Sequence, residues 1–252
     1  MNDLQDRIAL VTGSSRGIGA AIATLFASQG AAVAVHGRDA DAVAAVTTQL
    51  DRAGGRALAV LADLTRYQDV EAMRASIEQH LGPVDILVAN AGGSSIPPGP
   101  VEEITEEGWR DSVDTNLTAT FFTIKAFLPG MKRRNRGNVI TVSSAAARRP
   151  TTRSPTAYAA AKAGIELLTK QVAAQAGPYG VRANCIAPET ILTERNQRAI
   201  PQAVQDQLSE VHPVRRLGTP DDVARAALFL ASEQSSWISG ITVDVAGGSV
   251  LA

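Results

Sequence analysis

Tyr158 and Lys162 stand four residues apart in Tyr158-Ala-Ala-Ala-Lys162, a spacing that puts two side chains on one face of a helix. A phenol near its ordinary pKa of about 10 is a poor base at neutral pH, and lowering it by three units takes about 4 kcal/mol of preference for phenolate. An ammonium about 4.5 Å away supplies roughly that much at an effective dielectric of about 20. The pair is therefore an acid/base candidate. A second chemistry is suggested by Thr12-Gly13-Ser14-Ser15-Arg16-Gly17-Ile18-Gly19. Glycines let a backbone turn sharply and approach a pyrophosphate closely, while the free amides of a helix start carry partial positive charge towards it. The spacing is GxxxGxG rather than the common GxGxxG, and glycines alone also serve a tight strand-to-helix turn that binds nothing.

The elements that must position these residues are legible as short apolar runs at 8–12, 32–36, 57–61, 84–89, 138–143, 181–187 and 241–245. They are rich in Val and Ile, alternate little, and are separated by stretches long enough for a crossover helix. That pattern predicts a parallel sheet covered on both faces, a three-layer doubly wound α/β fold. Ligands of such a sheet sit at the carboxyl ends of the strands. Thr65 followed by Gln68 fits a capping box, and Thr219-Pro220 puts a hydroxyl cap before a first-turn proline. Two stretches break the rhythm, 92–100 with its prolines and the long connection 188–216, which is expected to be a substrate lid.

Composition narrows the rest. The 252 residues carry 24 Lys and Arg against 25 Asp and Glu, a formal charge of −1. A chain of this length buries roughly three quarters of its unfolded surface in one core, so a single domain over 1–252 is expected. A charge near zero, with five Phe, three Tyr and two Trp, offers neither a field nor stacking rings for nucleic acid. No apolar run approaches the ~20 residues that span a bilayer, and the first residues run into a strand without a basic segment followed by an apolar one, so a cytoplasmic protein is expected. Cys185 reads as a buried strand residue. His36, His80 and His212 show no ligand spacing, so no metal is expected.

Further motifs follow in order. Asn90-Ala91-Gly92 follows the fourth strand, Asn116 lies in the next helical stretch, Ser143-Ser144 ends the fifth strand, Tyr158 and Lys162 open a helix, and Asp244-Val-Ala-Gly-Gly248 closes the last strand. With the glycine turn, these resemble the short-chain dehydrogenase/reductase family over the whole chain, including members that act as 3-oxoacyl-acyl carrier protein reductases and as sugar or polyol dehydrogenases. The resemblance implies a Rossmann fold with a seven-stranded parallel sheet, usually assembled as a homotetramer. It implies hydride transfer between nicotinamide C4 and a carbonyl or secondary alcohol, with Tyr158 as general acid in reduction and base in oxidation. Lys162 would also hold the nicotinamide ribose, Ser144 would donate a hydrogen bond to the substrate oxygen, and Asn116 matches the asparagine that retains a water in the proton relay. Ser144 to Tyr158 is one residue longer than the commonest spacing, so the connection 145–156 carries an insertion and either Ser143 or Ser144 could be the donor. Ser144 is favoured.

The same resemblance assigns cofactor contacts to Gly13, Ser15, Arg16, Gly17, Ile18 and Gly19, to Asn90, Ala91 and Gly92, and to Asp63-Leu64 at the adenine. Where NAD-preferring members carry an aspartate after the second strand, this chain has Gly37 and then Arg38. With Arg16 this provides two cations for a 2'-phosphate, so the expected cofactor is NADP(H). Pro188, Ile191 and Thr193 take the nicotinamide carboxamide side, and Glu189 replaces the usual glycine there, adding a carboxylate near the substrate that could instead turn outward to solvent or to Arg195. The cluster Lys132-Arg133-Arg134-Asn135-Arg136 fits either cations at a helix carboxyl end or a dock for an acyl carrier. Other readings are an epimerase or dehydratase relative, for whose carboxyl-terminal domain there is no room, and a non-catalytic dinucleotide sensor, which usually lacks one of the catalytic residues.

Overall fold

The computed structural model describes residues 3–251. Seven parallel strands form one sheet: β1 (Ile8–Val11), β2 (Ala32–Gly37), β3 (Arg56–Leu61), β4 (Ile86–Ala89), β5 (Gly137–Val142), β6 (Val181–Pro188) and β7 (Thr242–Val245), in the order β3-β2-β1-β4-β5-β6-β7. The sheet and the positions of its strands agree with the apolar runs of the sequence. Every residue of β2 and β4 is buried, which is why these runs show no alternation: both faces of the sheet are covered. Strand order reverses between β1 and β4, and the crevice at such a switch point is where doubly wound sheets bind ligands.

One covering layer comprises α1 (Gly17–Ser28), α2 (Ala40–Arg52) and, later in the chain, Pro220–Ala231, which pack Ile22, Phe26, Leu50 and Leu230 on the sheet. The other comprises α3 (Tyr67–His80) and two later helices, contributing Ile77, Phe127 and Val172. Between β4 and β5 a long helical run consists of α4 (Glu106–Val113), a π turn over Asp114–Thr118 and α5 (Ala119–Arg133). A short α6 (Ala145–Arg148) follows β5, and α7 (Thr156–Ala176) is the longest helix. The 188–216 connection carries α8 (Glu194–Ala199) and α9 (Gln202–Val211), and α10 is Pro220–Ala231.

Two helix starts read differently from one another. Thr219 caps α10 in a full capping box with Asp222, as its sequence suggests. Thr65 does not cap α3, which begins at Tyr67 without a side-chain cap. The Asp63 carboxylate accepts both the Thr65 hydroxyl (2.7 Å) and the Thr65 amide (3.0 Å), closing a local turn that takes the hydroxyl away from the helix.

Candidate active site

The glycine turn leaves β1 with Gly13 and Gly17 at positive φ (66° and 58°). A side chain at Gly19 would put Cβ 2.3 Å from the Gly13 carbonyl, and one at Gly13 would meet Ala91 Cα at 2.9 Å, so the bend itself demands both glycines. The turn is braced from below. Thr12 Oγ1 accepts the amides of Asn90 and Ala91, each at 3.0 Å, and Asn90 Nδ2 donates back to the Thr12 carbonyl at 2.9 Å. His36 Nδ1 accepts the Gly13 amide at 3.1 Å while its Nε2 lies 3.2 Å from the Ala62 carbonyl. The first bond makes Nε2 the protonated nitrogen of a neutral ring. Burial, followed by the nearby Arg38 cation, holds the His36 pKa below its ordinary value despite the opposing bond to Ala62. Sequence reading gave His36 no such place, since only the fold brings it under the turn.

Above the turn two connected clefts, of about 730 and 760 Å³, share Gly13, Arg16, Asn90, Gly92 and Arg195. The second contains Ser15, Arg38, Asp63, Leu64 and Ala91, and the first contains Ile18, Pro188, Ile191 and Thr193. The surface is bare where an extended ligand must pass: nothing lies within 4 Å of where a Gly93 Cβ would be, and a Gly17 Cβ would face only Thr193, at 3.2 Å. A turn of exposed amides without side chains fits a dinucleotide pyrophosphate. Arg16 and Arg38 both line the outer cleft, but a carboxylate joins them. Asp39, the N-cap of α2, lies 2.5 Å from Arg16, so Arg16 is paired, while Arg38 beside β2 and Arg195 of α8 also line the cleft.

In the inner cleft the Ser144 hydroxyl, the Tyr158 phenol and Lys162 meet. Both serines border the cleft, but the single Ser143 hydroxyl proton is shared between the Lys162 carbonyl (3.0 Å) and Glu166 (2.9 Å) in the core, which leaves the Ser144 hydroxyl as the one available to a ligand. Ser144 Oγ accepts the Ala146 amide at 3.2 Å, keeping its proton available. Burial pushes the Tyr158 phenol above its ordinary value, against a Ser144 hydrogen bond that lowers it. The lowering by Lys162 expected from their spacing is not found. Lys162 Nζ sits 5.5 Å from the ring centroid and donates to the Val142 carbonyl at 2.8 Å, and desolvation drops its own pKa from 10.5 to about 8. Asn116, in the π turn, is wholly buried. It accepts the Gly93 amide (3.0 Å) and donates to the carbonyls of Gly93 (2.8 Å) and Ser112 (2.9 Å). The break in the helix thus serves to hold the loop after β4 beside Lys162.

Glu189 lines the inner cleft but does not reach Arg195. Its carboxylate accepts the Ser249 hydroxyl at 3.2 Å and lies 3.9 Å from Arg149. Thr193 caps α8. The basic cluster is brought nowhere near the clefts: Lys132 stacks over Tyr179, Arg134 donates to the Val84 carbonyl and Arg136 pairs with Asp85, all at the amino ends of the strands. Among the described residues no three His, Cys, Asp or Glu side chains gather as metal ligands.

A family model described as enoyl-(acyl carrier protein) reductase matches residues 13–249. The chain is a short-chain dehydrogenase/reductase. It is 36% identical over 247 residues to the 7alpha-hydroxysteroid dehydrogenase of Escherichia coli K12, covering 98% of this chain and 95% of the relative. It is 35% identical to glucose 1-dehydrogenase 2 of Bacillus subtilis, covering 99% and 96%. The structure of a 3-oxoacyl-[acyl-carrier protein] reductase from Brucella melitensis with bound NAD superposes with a TM-score of 0.91 at 38% identity, over 100% of this chain and 94% of that one. A 7alpha-hydroxysteroid dehydrogenase complexed with NADH and 7-oxo glycochenodeoxycholic acid gives 0.93 at 35%, over 100% and 97%. In this chain Ser144, Tyr158 and Lys162 line the inner cleft, and Asn116 ties down the loop at Gly93.

Proposed function

We propose that this short-chain dehydrogenase/reductase is an NADP(H)-dependent enzyme that interconverts a carbonyl and a secondary alcohol, with Tyr158 as general acid/base. The observation that carries the reading is the meeting of the Ser144 hydroxyl, the Tyr158 phenol and the Lys162 ammonium in a cleft continuous with the glycine turn. When bound, the nicotinamide supplies or accepts hydride at C4. Ser144, whose oxygen is already engaged by Ala146, donates a hydrogen bond to the substrate oxygen, keeping its own proton, and stabilises the charge that develops there. Tyr158 gives the proton in reduction and takes it in oxidation. Lys162 spends one proton on Val142 and has two for ribose hydroxyls. Asn116 fixes the Gly92–Gly93 wall, and Pro188, Ile191 and Thr193 border the carboxamide, with 188–216 as the lid. The test is consumption of NADPH across a panel of carbonyl compounds and carrier-linked 3-oxoacyl groups.

Arg38 decides the cofactor. Asp39 engages Arg16, so Arg38, next to Gly37 at the end of β2, is the guanidinium best placed for a 2'-phosphate. A hydrogen bond to a charged group contributes about 1.5–3 kcal/mol, so Arg38→Ala raises the Kd for NADPH roughly 10–100-fold and leaves that for NADH nearly unchanged. Fluorescence titration with both cofactors checks this; equal loss for both, or NADH superior in the parent protein, defeats the assignment.

Glu189 shapes the other end. Its side chain is 24% exposed and shared between Ser249 and Arg149, so it repels a substrate carboxylate while Arg149 remains occupied. Glu189→Gly removes the repulsion and the competing carboxylate beside Arg149, which keeps its bond to the Ser249 carbonyl at 2.9 Å, and a roughly tenfold or larger gain in kcat/KM for carboxylate-bearing over neutral substrates is expected. Cofactor Kd stays constant. An unchanged ranking of substrates would remove Glu189 from the pocket.

The apolar side chains Trp109, Phe121 and Leu167, exposed on α4, α5 and α7, provide surface for the homotetramer. No helix among the described residues is long and apolar enough to cross a membrane, and the cytoplasm is the compartment proposed.

A further inference from the structure

Arg148 ends the single turn of α6 that begins immediately after Ser144. Its guanidinium forks onto Asp244 of β7, with Nε donating to Oδ1 and Nη2 to Oδ2, each at 3.1 Å. The remaining nitrogen, Nη1, reaches Glu166 Oε2 of α7 at 3.4 Å. Glu166 uses its other oxygen to accept the Ser143 hydroxyl at 2.9 Å. The side chains of Arg148, Glu166 and Asp244 are 24%, 11% and 19% exposed. A continuous chain of charged hydrogen bonds therefore runs from the last strand, through the insertion after β5, to the residue before Ser144.

We propose that Arg148 is a positioning residue, acting through Glu166 and Ser143 to hold Ser144 against the Tyr158 phenol; this rests on the reading of Tyr158 as the acid/base. Three observations carry it. Ser144 caps α6, so any shift of that turn moves the hydroxyl. Ser143 shares a peptide bond with Ser144 and is tied to α7 at both the Lys162 carbonyl and Glu166, so the pair of serines is registered against the helix that bears Tyr158. Arg148 is the only cation bonded to either Glu166 or Asp244 in the described structure. Without it the largely buried carboxylates of Glu166 and Asp244 both lose their cation, which favours their rearrangement toward other partners or solvent. Glu166 moving releases Ser143. A displacement of about 1 Å at a reacting group is enough to cost a large factor in rate. A lysine offers a point charge in place of the planar fork and cannot bond both carboxylates with this geometry.

The test compares Arg148→Ala, Arg148→Lys and Glu166→Gln with the parent protein in kcat, KM, cofactor Kd and the phenolate absorbance titration of Tyr158. The titration is read as the difference from the matching Tyr158→Phe protein, so that Tyr67 and Tyr179 cancel. For Arg148→Ala, kcat falls about 10–100-fold, as when a partner that orients a reacting group is removed, while KM and cofactor Kd change by less than about threefold. The Tyr158 titration moves to higher pH, because the phenolate loses its Ser144 donor. Arg148→Lys does not restore kcat. Glu166→Gln, which keeps an acceptor for Ser143, loses less than Arg148→Ala. A protein that is merely less heat-stable, with kcat and the Tyr158 titration unchanged, overturns the proposal and leaves Arg148 a structural tie. A change in KM alone also overturns it. Should Arg148→Ala fail to fold, Arg148→Lys and Glu166→Gln decide on the same readouts. Should the parent protein turn over no alcohol or carbonyl, the functional reading fails, whereas the Tyr158 titration still decides the role of Arg148.

Discussion

Tyr158→Phe is expected to lower turnover by about 10²–10⁴-fold, the usual worth of a positioned proton donor, while NADPH binds with nearly unchanged Kd. Only the hydroxyl is removed: the ring keeps its place in α7 above Lys162, and none of the glycine-turn bonds involves Tyr158. Direction and pH enter through the phenol. Burial holds its pKa above the ordinary value, so the protonated form predominates at neutrality and the enzyme rests as an acid ready for reduction. Reduction therefore holds through neutral pH and declines above about pH 8, where Lys162 loses its proton before the phenol does, whereas oxidation, which needs the phenolate, rises with pH. Steady-state rates in both directions and a cofactor titration check this; a Phe variant retaining more than about a tenth of parental turnover would remove Tyr158 from the acid/base role.

Lys162→Met separates activity from stability. The ammonium is 3% exposed, and its pKa in the folded protein is about 8 against 10.5. That gap corresponds to a destabilisation of about 3 kcal/mol whenever the folded state must carry the charge. Below pH 8 the proton is held in both states and the whole penalty applies. Between about 8 and 10.5 the folded protein has lost the proton that the unfolded chain still holds, so parental stability recovers as pH rises. Methionine fills a similar volume without a charge, and the Val142 carbonyl losing its donor offsets about 1 kcal/mol. A net gain of about 2 kcal/mol at neutral pH follows, which is roughly 4–8 °C in Tm for a chain of this size, together with near-complete loss of turnover. The gain narrows between pH 8 and 10.5. Thermal melts across that range test it, and a variant less stable than the parent at pH 7 would contradict the burial argument.

The parts of this molecule that were legible in its sequence are those set by local chemistry. Val- and Ile-rich runs mark strands because both sheet faces are buried, the glycines of 13–19 mark a bend that admits no Cβ, and Thr219-Pro220 marks a helix start. What was not legible depends on groups far apart in the chain or on competition between neighbours. Asp39 follows Arg38 directly, yet only the geometry of the α2 cap reveals that it takes Arg16. His36 supports Gly13 across 23 residues, and Arg148 finds Asp244 across 96. Thr65 is drawn into a turn by the Asp63 carboxylate two residues away, which takes both its hydroxyl and its amide, so its oxygen does not accept the free amides of α3. The π turn over Asp114-Thr-Asn-Leu-Thr118 was not legible because its residue types suit an ordinary helix equally, the difference lying in backbone bonding. Charge totals likewise hid where cations lie: the cluster at 132–136 is used to close the amino ends of the strands.

The brace beneath the glycine turn has a kinetic meaning. Bonds from Thr12, Asn90 and His36 already fix the direction of the turn's backbone, so the ordering entropy of about 1–2 kcal/mol per residue is met when the chain folds and not when a ligand arrives. Encounter at that end of the cleft is then a docking onto a rigid template, with no search among loop conformations. A slow step in association or release is then expected at α8, whose residues border the inner cleft.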